Sequence, residues 1–168
     1  MRLLIGIVRI SNALRMPKYL SEEDILLIHN RVIDRVGGLH GIRDRNAIQS
    51  VVGQPRQAVF GKELYATLFL KAAVYARNII AHHPFLDGNK RTGITVASVF
   101  LEENNCRIDA VEGEFYSLAL HIVEDKWEYE EIAEWFESRT AKTRAAHAAR
   151  LPKGSLPAVR GRNAKIYL

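Results

Sequence analysis

The sequence His83-Pro-Phe-Leu-Asp-Gly-Asn-Lys-Arg91 separates two long apolar stretches of the chain. Pro84 and Gly88 both disfavour a continuous helix, so a break is predicted within this motif segment, residues 83–91. Apolar residues at helical spacing predict a helix before it, from about residue 64 to 82. A second helix is predicted after it, from about residue 90 to 104, and it is apolar nearly all round, which is typical of a central, buried helix.

Further amphipathic patterns complete the predicted fold. Ser21 and Asp44 are good N-caps, and apolar residues fall on one helical face in four more places: residues 25–36, 47–52, 115–122 and 132–136. Residues 53–63 are predicted to form an irregular flap or short hairpin. We therefore predict an all-α fold, a compact bundle of about six helices with the motif segment between two core helices.

Charge divides the chain into parts. Residues 139–168 contain eight Lys/Arg and no Asp or Glu, whereas the remaining residues hold 16 basic and 19 acidic side chains, a net charge of −3. The predicted organisation is an N-terminal extension (residues 1–17), one domain (residues 18–138) and a basic tail (residues 139–168). Met16 is a candidate natural start.

Several classes of protein are disfavoured by composition. The single cysteine, Cys106, cannot form an internal disulfide, and no apolar run reaches the roughly 20 residues that span a bilayer. The apolar start of the chain is interrupted by Arg9 and is not followed by a small-residue cleavage site, so a signal peptide is not predicted. We expect a cytoplasmic protein without a membrane partner.

The start of the helix after the break is predicted to bind an anion. A helix N-terminus presents unpaired backbone N–H groups and the positive end of the dipole, and Gly88 allows the backbone to approach a ligand closely. Lys90 and Arg91 place two cations in the first turn, where they oppose the dipole unless an anion lies in front of them. Asn89 can donate a hydrogen bond to a phosphate oxygen.

Two further residues of the motif segment add catalytic chemistry. Asp87 is a hard oxygen ligand suited to Mg²⁺ beside phosphates, and His83 can accept a proton from an attacking hydroxyl near neutral pH. Taken singly, these residues have structural explanations: a half-buried histidine, a turn aspartate, and Asn89 as the helix cap. Phe85 and Leu86 are predicted to be core residues under the segment. The convergence within nine residues favours a phosphate-handling site.

The motif segment closely resembles the signature of the Fic/Doc (Fido-domain) superfamily, and Lys90 matches its death-on-curing (Doc) branch. The resemblance extends over about residues 18–138 and includes Tyr19-Leu-Ser-Glu-Glu-Asp-Ile-Leu-Leu-Ile-His29, Gly37-Gly-Leu-His-Gly-Ile-Arg-Asp44 and Glu130-Glu-Ile-Ala-Glu-Trp-Phe136. It implies an all-helical fold, with ATP and Mg²⁺ as ligands and a protein hydroxyl as acceptor. By position it implies a catalytic base at His83, a metal ligand at Asp87, and phosphate contacts at Gly88, Asn89, Lys90 and Arg91. Residues 53–63 would correspond to the flap that aligns the target.

Two positions favour one branch of that superfamily. Adenylyl-transferring members have glycine where Lys90 stands and a second arginine at position 94, which is Ile94 here. Doc toxins resemble this chain at both positions and phosphorylate elongation factor Tu. The resemblance therefore implies an ATP-dependent protein phosphotransferase that transfers the γ-phosphoryl group. Since the sequence lacks the self-inhibitory pattern Ser/Thr-x-x-x-Glu-Gly/Asn, an antitoxin acting in trans is the expected partner.

Other functions remain as alternatives at this stage. The first is a Fic-type adenylyltransferase, and the second is a zinc site built from His82, His83, Asp87 and His121, although no His-x-x-x-His spacing supports it. The third is a helical nucleic-acid-binding module that uses the basic tail. Nucleic acid is not an expected partner otherwise, because Tyr167 alone interleaves an aromatic ring with those cations. A catalytically idle family member is the last alternative.

Overall fold

A computed structural model describes the backbone of residues 16–150 and their side chains, except those of residues 112 and 141–150. Within this range the chain forms six α-helices: α1 (Glu22–Val36), α2 (Arg45–Gly53), α3 (Leu68–His82), α4 (Asn89–Glu103), α5 (Glu112–Val123) and α6 (Tyr129–Arg150). A 3-10 turn (Gln54–Arg56) and a small hairpin of β1 (Ala58–Val59) and β2 (Lys62–Glu63) lie between α2 and α3. The predicted all-α bundle is confirmed. Residues 1–15 of the predicted extension and 151–168 of the predicted tail lie outside the described range.

Both predicted helix caps are confirmed. Ser21 Oγ accepts the backbone N–H of Asp24 at 3.1 Å, and the Asp24 carboxylate accepts the N–H of Ser21 at 2.9 Å, which makes a reciprocal capping box for α1. The Asp44 carboxylate accepts from the N–H groups of Asn46 (2.9 Å) and Ala47 (3.1 Å) at the start of α2. These contacts satisfy orphan donors and fix where the two helices begin.

The predicted start of the third helix was wrong by four residues. Thr67 caps α3, because its Oγ1 accepts the N–H of Leu70 at 3.1 Å. Leu64 instead donates its N–H to Gln57 O at 2.9 Å and so closes the hairpin. The apolar character of Leu64 suggested a helical residue, but it lies at the base of the hairpin, one residue after the predicted flap.

Helices α3 and α4 form the centre of the bundle and cross at very short range. Gly93 of α4 faces α3, and a Cβ at this position would lie 2.8 Å from the Ala76 carbonyl oxygen and 2.9 Å from Ile80 Cγ1. The absence of a side chain at Gly93 therefore permits the close approach. Ile94 is 2% exposed, as expected for a core residue of a central helix.

The hairpin between α2 and α3 is held at its base by a buried lysine. Lys71 is only 1% exposed; its Nζ donates to Pro55 O at 3.1 Å and pairs with Glu63 Oε1 at 3.3 Å. At the tip, Phe60 and Gly61 both have positive φ, as in the two-residue turns that suit hairpins. The hairpin that was predicted within residues 53–63 is thus present, and its strands are exposed.

Helix α6 crosses the predicted boundary between domain and tail. The backbone is helical without interruption from Tyr129 to Arg150, whereas the predicted tail begins at residue 139. Arg139 pairs with Glu114 of α5, and the buried Thr140 donates to Phe136 O at 3.1 Å. The boundary at residues 138–139 stays a prediction. None of the described helices combines the length and hydropathy needed to cross a membrane.

Candidate active site

The motif segment is shaped by two left-handed residues. His83 directly follows α3 and has φ 48° and ψ 54°, and Gly88 precedes α4 with φ 70° and ψ 13°. A Cβ at Gly88 would also lie 2.7 Å from Ile33 Cδ1. The turn at His83 places its imidazole in solvent, so the half-buried structural histidine is not what forms.

Residues 41–44 form an outer wall along the motif segment. The N–H groups of Arg43 and Asp44 both donate to Pro84 O, at 2.7 and 3.1 Å, and the N–H of Leu86 donates to Gly41 O at 3.0 Å. A Cβ at Gly41, where φ is 138°, would lie 2.6 Å from Leu86 Cδ1, so glycine is needed there. The sequence patterns did not predict this pairing. The glycines between α1 and α2 indicated only that the chain turns there.

Asn89 braces the segment from inside. Its Oδ1 accepts the N–H of Phe85 and its Nδ2 donates to Phe85 O, both at 3.0 Å. The structural alternative for Asn89, a helix cap, does not hold, since Gly88 occupies the N-cap position and Asn89 is the first helical residue. Phe85 is fully buried as predicted, whereas Leu86 is 47% exposed and is not a core residue.

Asp87 and Arg91 face each other across the first turn of α4. Asp87 Oδ1 accepts the Gly88 N–H at 2.5 Å and lies 3.8 Å from Arg91 Nη2, and Oδ2 accepts the Leu39 N–H at 3.4 Å. The Gly88 N–H, then the Leu39 N–H and the Arg91 charge, hold the pKa of Asp87 below its usual range. Arg91 Nη1 also donates to Gly37 O at 3.0 Å, which fixes the guanidinium.

These residues surround a cavity of about 290 Å³. Its lining brings together all six candidate site residues with two others: Arg43, His83, Leu86, Asp87, Gly88, Asn89, Lys90 and Arg91. In the described part of the chain, no side chain caps the first turn of α4, so its N–H groups are available to a ligand. Three cations and one carboxylate around an uncapped helix terminus are suited to a phosphate chain with a divalent cation.

The alternative zinc site does not assemble. Among the described residues, no group of three or more His, Cys, Asp and Glu side chains lies close enough to hold a metal ion. His121 instead hydrogen-bonds Asp125 at 2.5 Å and stacks on Trp127 with ring centroids 4.4 Å apart. A single carboxylate at Asp87 is sufficient for Mg²⁺, which keeps waters and takes phosphate oxygens as its other ligands.

A buried histidine lies beneath the segment. His29 of α1 is 2% exposed and stacks on Phe85, with ring centroids 3.8 Å apart. Burial lowers the pKa of His29 to about 4, helped by the nearby His40 and Arg91 and opposed by Asp87. The imidazole is therefore neutral near pH 7. His29 lies beside the apolar stripe of α1, so the sequence did not distinguish it from an ordinary core residue.

His29 should make the free energy of unfolding depend on pH. Because the pKa of His29 falls from 6.5 in the unfolded chain to about 4 in the folded one, the unfolded state binds the extra proton first. Its contribution is present above pH 6.5 and is lost as the pH falls toward 4, by no more than about 3 kcal/mol. Urea titrations between pH 4 and 7 should show this slope in the wild type. If the free energy of unfolding of His29→Phe has the same pH dependence as that of the wild type, other groups cause the dependence.

Known proteins resemble this chain in sequence. The family model described as the Fic/DOC family matches residues 19–101. The "Toxin Doc" of Mycolicibacterium smegmatis is 33% identical over 95 residues, which cover 56% of this chain and 71% of that protein. The "Protein kinase doc" of Escherichia phage P1 is 31% identical over 91 residues, 54% of this chain and 71% of that protein. The region that the family model matches contains α1 to α3, α4 as far as residue 101, and the whole cavity lining. With two such relatives, each above 30% identity and matched over 71% of its length, the chain belongs to the Fic/DOC family.

Proposed function

We propose that the chain is a Doc-like toxin of a toxin–antitoxin system that transfers the γ-phosphoryl group of ATP to a hydroxyl of a target protein. The observation that carries the proposal is the cavity at the start of α4, where an exposed His83 meets the carboxylate of Asp87 and the guanidinium of Arg91. The relatives named "Toxin Doc" and "Protein kinase doc" support the same function.

The phosphate end of ATP fits this cavity. A volume of about 290 Å³ suits a phosphate chain better than a complete nucleotide, so the base and ribose would lie outside it. The uncapped first turn of α4, with Arg43, Lys90 and Arg91 around it, would bind the phosphate oxygens. Asp87 would hold Mg²⁺, whose charge would offset that of the phosphates.

His83 would act as the general base. Its imidazole would accept the proton of the target hydroxyl while the hydroxyl oxygen forms a bond to the γ-phosphorus. The bond from the γ-phosphorus to the β–γ bridging oxygen breaks, and ADP leaves with that oxygen. Such phosphoryl transfers depend mainly on positioning and on stabilisation of the phosphate charge. Arg43, Lys90 and Arg91 would stabilise that charge here.

Position 94 supports transfer of the terminal phosphoryl group. It lies one helical turn beyond Arg91, and Ile94 packs in the core with 2% exposure and no hydrogen-bond donor. Among the residues that line the described cavity, the Lys and Arg side chains are those of Arg43, Lys90 and Arg91, and none comes from position 94. The phosphate nearest His83 would then be the terminal one.

The partners follow from the resemblance. We propose elongation factor Tu as the candidate target and a separate antitoxin protein as the inhibitor in trans. The proposed catalytic domain is residues 18–138, with residues 139–168 as a basic tail outside it.

Labelled nucleotides test the proposal. The purified chain is incubated with Mg²⁺, elongation factor Tu and ATP labelled at either the α or the γ phosphorus, and protein-bound label is counted. We expect label from the γ position only, at rates that vanish when Mg²⁺ is chelated. Label from the α position would instead indicate adenylyl transfer. Absence of both labels, in this mixture and in a whole lysate, would contradict the proposed enzyme.

A further inference from the structure

The buried side chain of His29 contacts Phe85 in the motif segment and Thr92 in the first turn of α4. The His29 ring lies flat on Phe85, with an interplanar angle of 6°, and its Nδ1 is 3.1 Å from Thr92 Oγ1. Phe85 precedes Asp87 in the motif segment, and Thr92 follows Arg91 in the first turn of α4. A residue of α1 therefore spans the stretch that carries the phosphate-binding groups.

Histidine occupies this position at a cost. Its Nε2 is buried and has no hydrogen-bond partner in the described part of the chain, and leaving a polar atom unpaired is unfavourable. A phenylalanine would fill the same space and stack on Phe85 without that cost. The contact that histidine adds, and phenylalanine cannot make, is the one between Nδ1 and Thr92.

Both contacts continue into the cavity wall. The N–H of Thr92 donates to Gly88 O at 2.8 Å, and the amide of Asn89 holds the N–H and carbonyl oxygen of Phe85. His29 is thus linked to Gly88 through Thr92 and to Asn89 through Phe85. A shift of the imidazole would therefore change the distance between Phe85 and Thr92.

We propose that His29 is a positioning residue that sets the distance between Phe85 and Thr92 and thereby the shape of the anion site. The effect on phosphate binding rests on the proposed function, whereas the effect on the order of the segment does not. His29 acts through Phe85 and Thr92 and touches no reacting group.

A double-mutant cycle tests the coupling. His29→Phe keeps the stacking ring and removes Nδ1, and Thr92→Val removes the hydroxyl at nearly constant volume. Amide hydrogen exchange is measured at Phe85, Leu86 and Thr92, whose N–H groups are hydrogen-bonded, in both single variants and in the double variant. We expect about five- to tenfold faster exchange in each single variant, and no further change in the double variant, because both substitutions remove one hydrogen bond.

Two controls separate positioning from general destabilisation. Thr140→Val removes a buried hydroxyl of α6 that bonds within its own helix, and it should leave exchange at these three amides unchanged. Thr92→Ser keeps the hydroxyl and should restore wild-type exchange in the segment. Wild-type exchange in both His29→Phe and Thr92→Val, or effects that simply add, would overturn the proposal.

Binding of Mg·ATP provides the second readout. Calorimetry should show that His29→Phe and Thr92→Val each weaken binding about fivefold, while Thr140→Val does not. Unchanged affinity in the two variants would overturn the role in phosphate binding. If the wild type fails to bind Mg·ATP, the proposed function is wrong, and the exchange measurements still decide whether His29 positions the segment.

Discussion

Replacing His83 by alanine should reduce the rate of transfer by about 10² to 10⁴, because removal of a general base typically costs that much. The fold should survive the change. The His83 side chain is exposed and makes no hydrogen bond or ion pair among the described residues. Initial rates with saturating ATP and thermal melts followed by circular dichroism measure the two quantities separately.

The neighbouring histidine provides a matched control. His82 is also exposed, ends the same helix and lies outside the cavity lining. His82→Ala should therefore keep the wild-type rate and melting temperature. If both variants lose activity equally, the loss reflects the end of α3 and not a base at position 83. Full activity in folded His83→Ala would remove His83 from the mechanism.

Replacing Gly93 by alanine should give the largest loss of stability among the substitutions considered. The added Cβ would lie 2.8 Å from the Ala76 carbonyl oxygen, a backbone atom in the middle of α3 that cannot move aside alone. Overpacking of this kind costs about 1 to 3 kcal/mol. The midpoint of urea unfolding should fall accordingly, and the melting temperature should drop by several degrees.

A glycine-to-alanine substitution at Gly113 should instead increase the stability of the protein. Gly113 lies on the exposed side of α5, and a Cβ there would meet no atom within 4 Å. Gly113→Ala should raise the free energy of unfolding by up to about 1 kcal/mol, because alanine has the higher helix propensity. If Gly93→Ala causes no loss of stability, the α3–α4 crossing relaxes easily and the expected overpacking is wrong.

Local patterns predicted most of the fold. The caps at Ser21 and Asp44 and the buried character of α4 follow from residues close together in the chain, and all three were confirmed. The start of α3 was misplaced because Leu64 is apolar, whereas the position is decided by the cap at Thr67 and the backbone bond from Leu64 to Gln57. Apolar periodicity contains no information on that competition.

The candidate site was predictable as far as it is contiguous. His83, Asp87 and Arg91 line one cavity because a short turn into a helix N-terminus brings neighbouring residues together. Arg43 and His29 were missed, since only tertiary packing places α1 and residues 41–44 against the segment. Each resembles an ordinary surface or core residue in the sequence.

Two positions, Leu86 and Lys71, show the limit of reasoning from single residues. Leu86 was expected in the core because of its apolar side chain, but its N–H is held by Gly41 O and the side chain stays partly in solvent. A lysine is rarely buried, yet Lys71 lies inside the bundle, where Pro55 O accepts from its ammonium group and Glu63 pairs with it. In both cases a partner distant in sequence determines the burial.

The mass of the modified target tests the proposed γ-phosphoryl transfer most directly. Elongation factor Tu is incubated with the chain, Mg²⁺ and unlabelled ATP, and its intact mass is measured beside a His83→Ala control. Phosphotransfer predicts an increase of about 80 Da that is absent with the variant. An increase of about 329 Da would mean that the nucleotide binds in the opposite sense and that AMP is transferred despite Ile94.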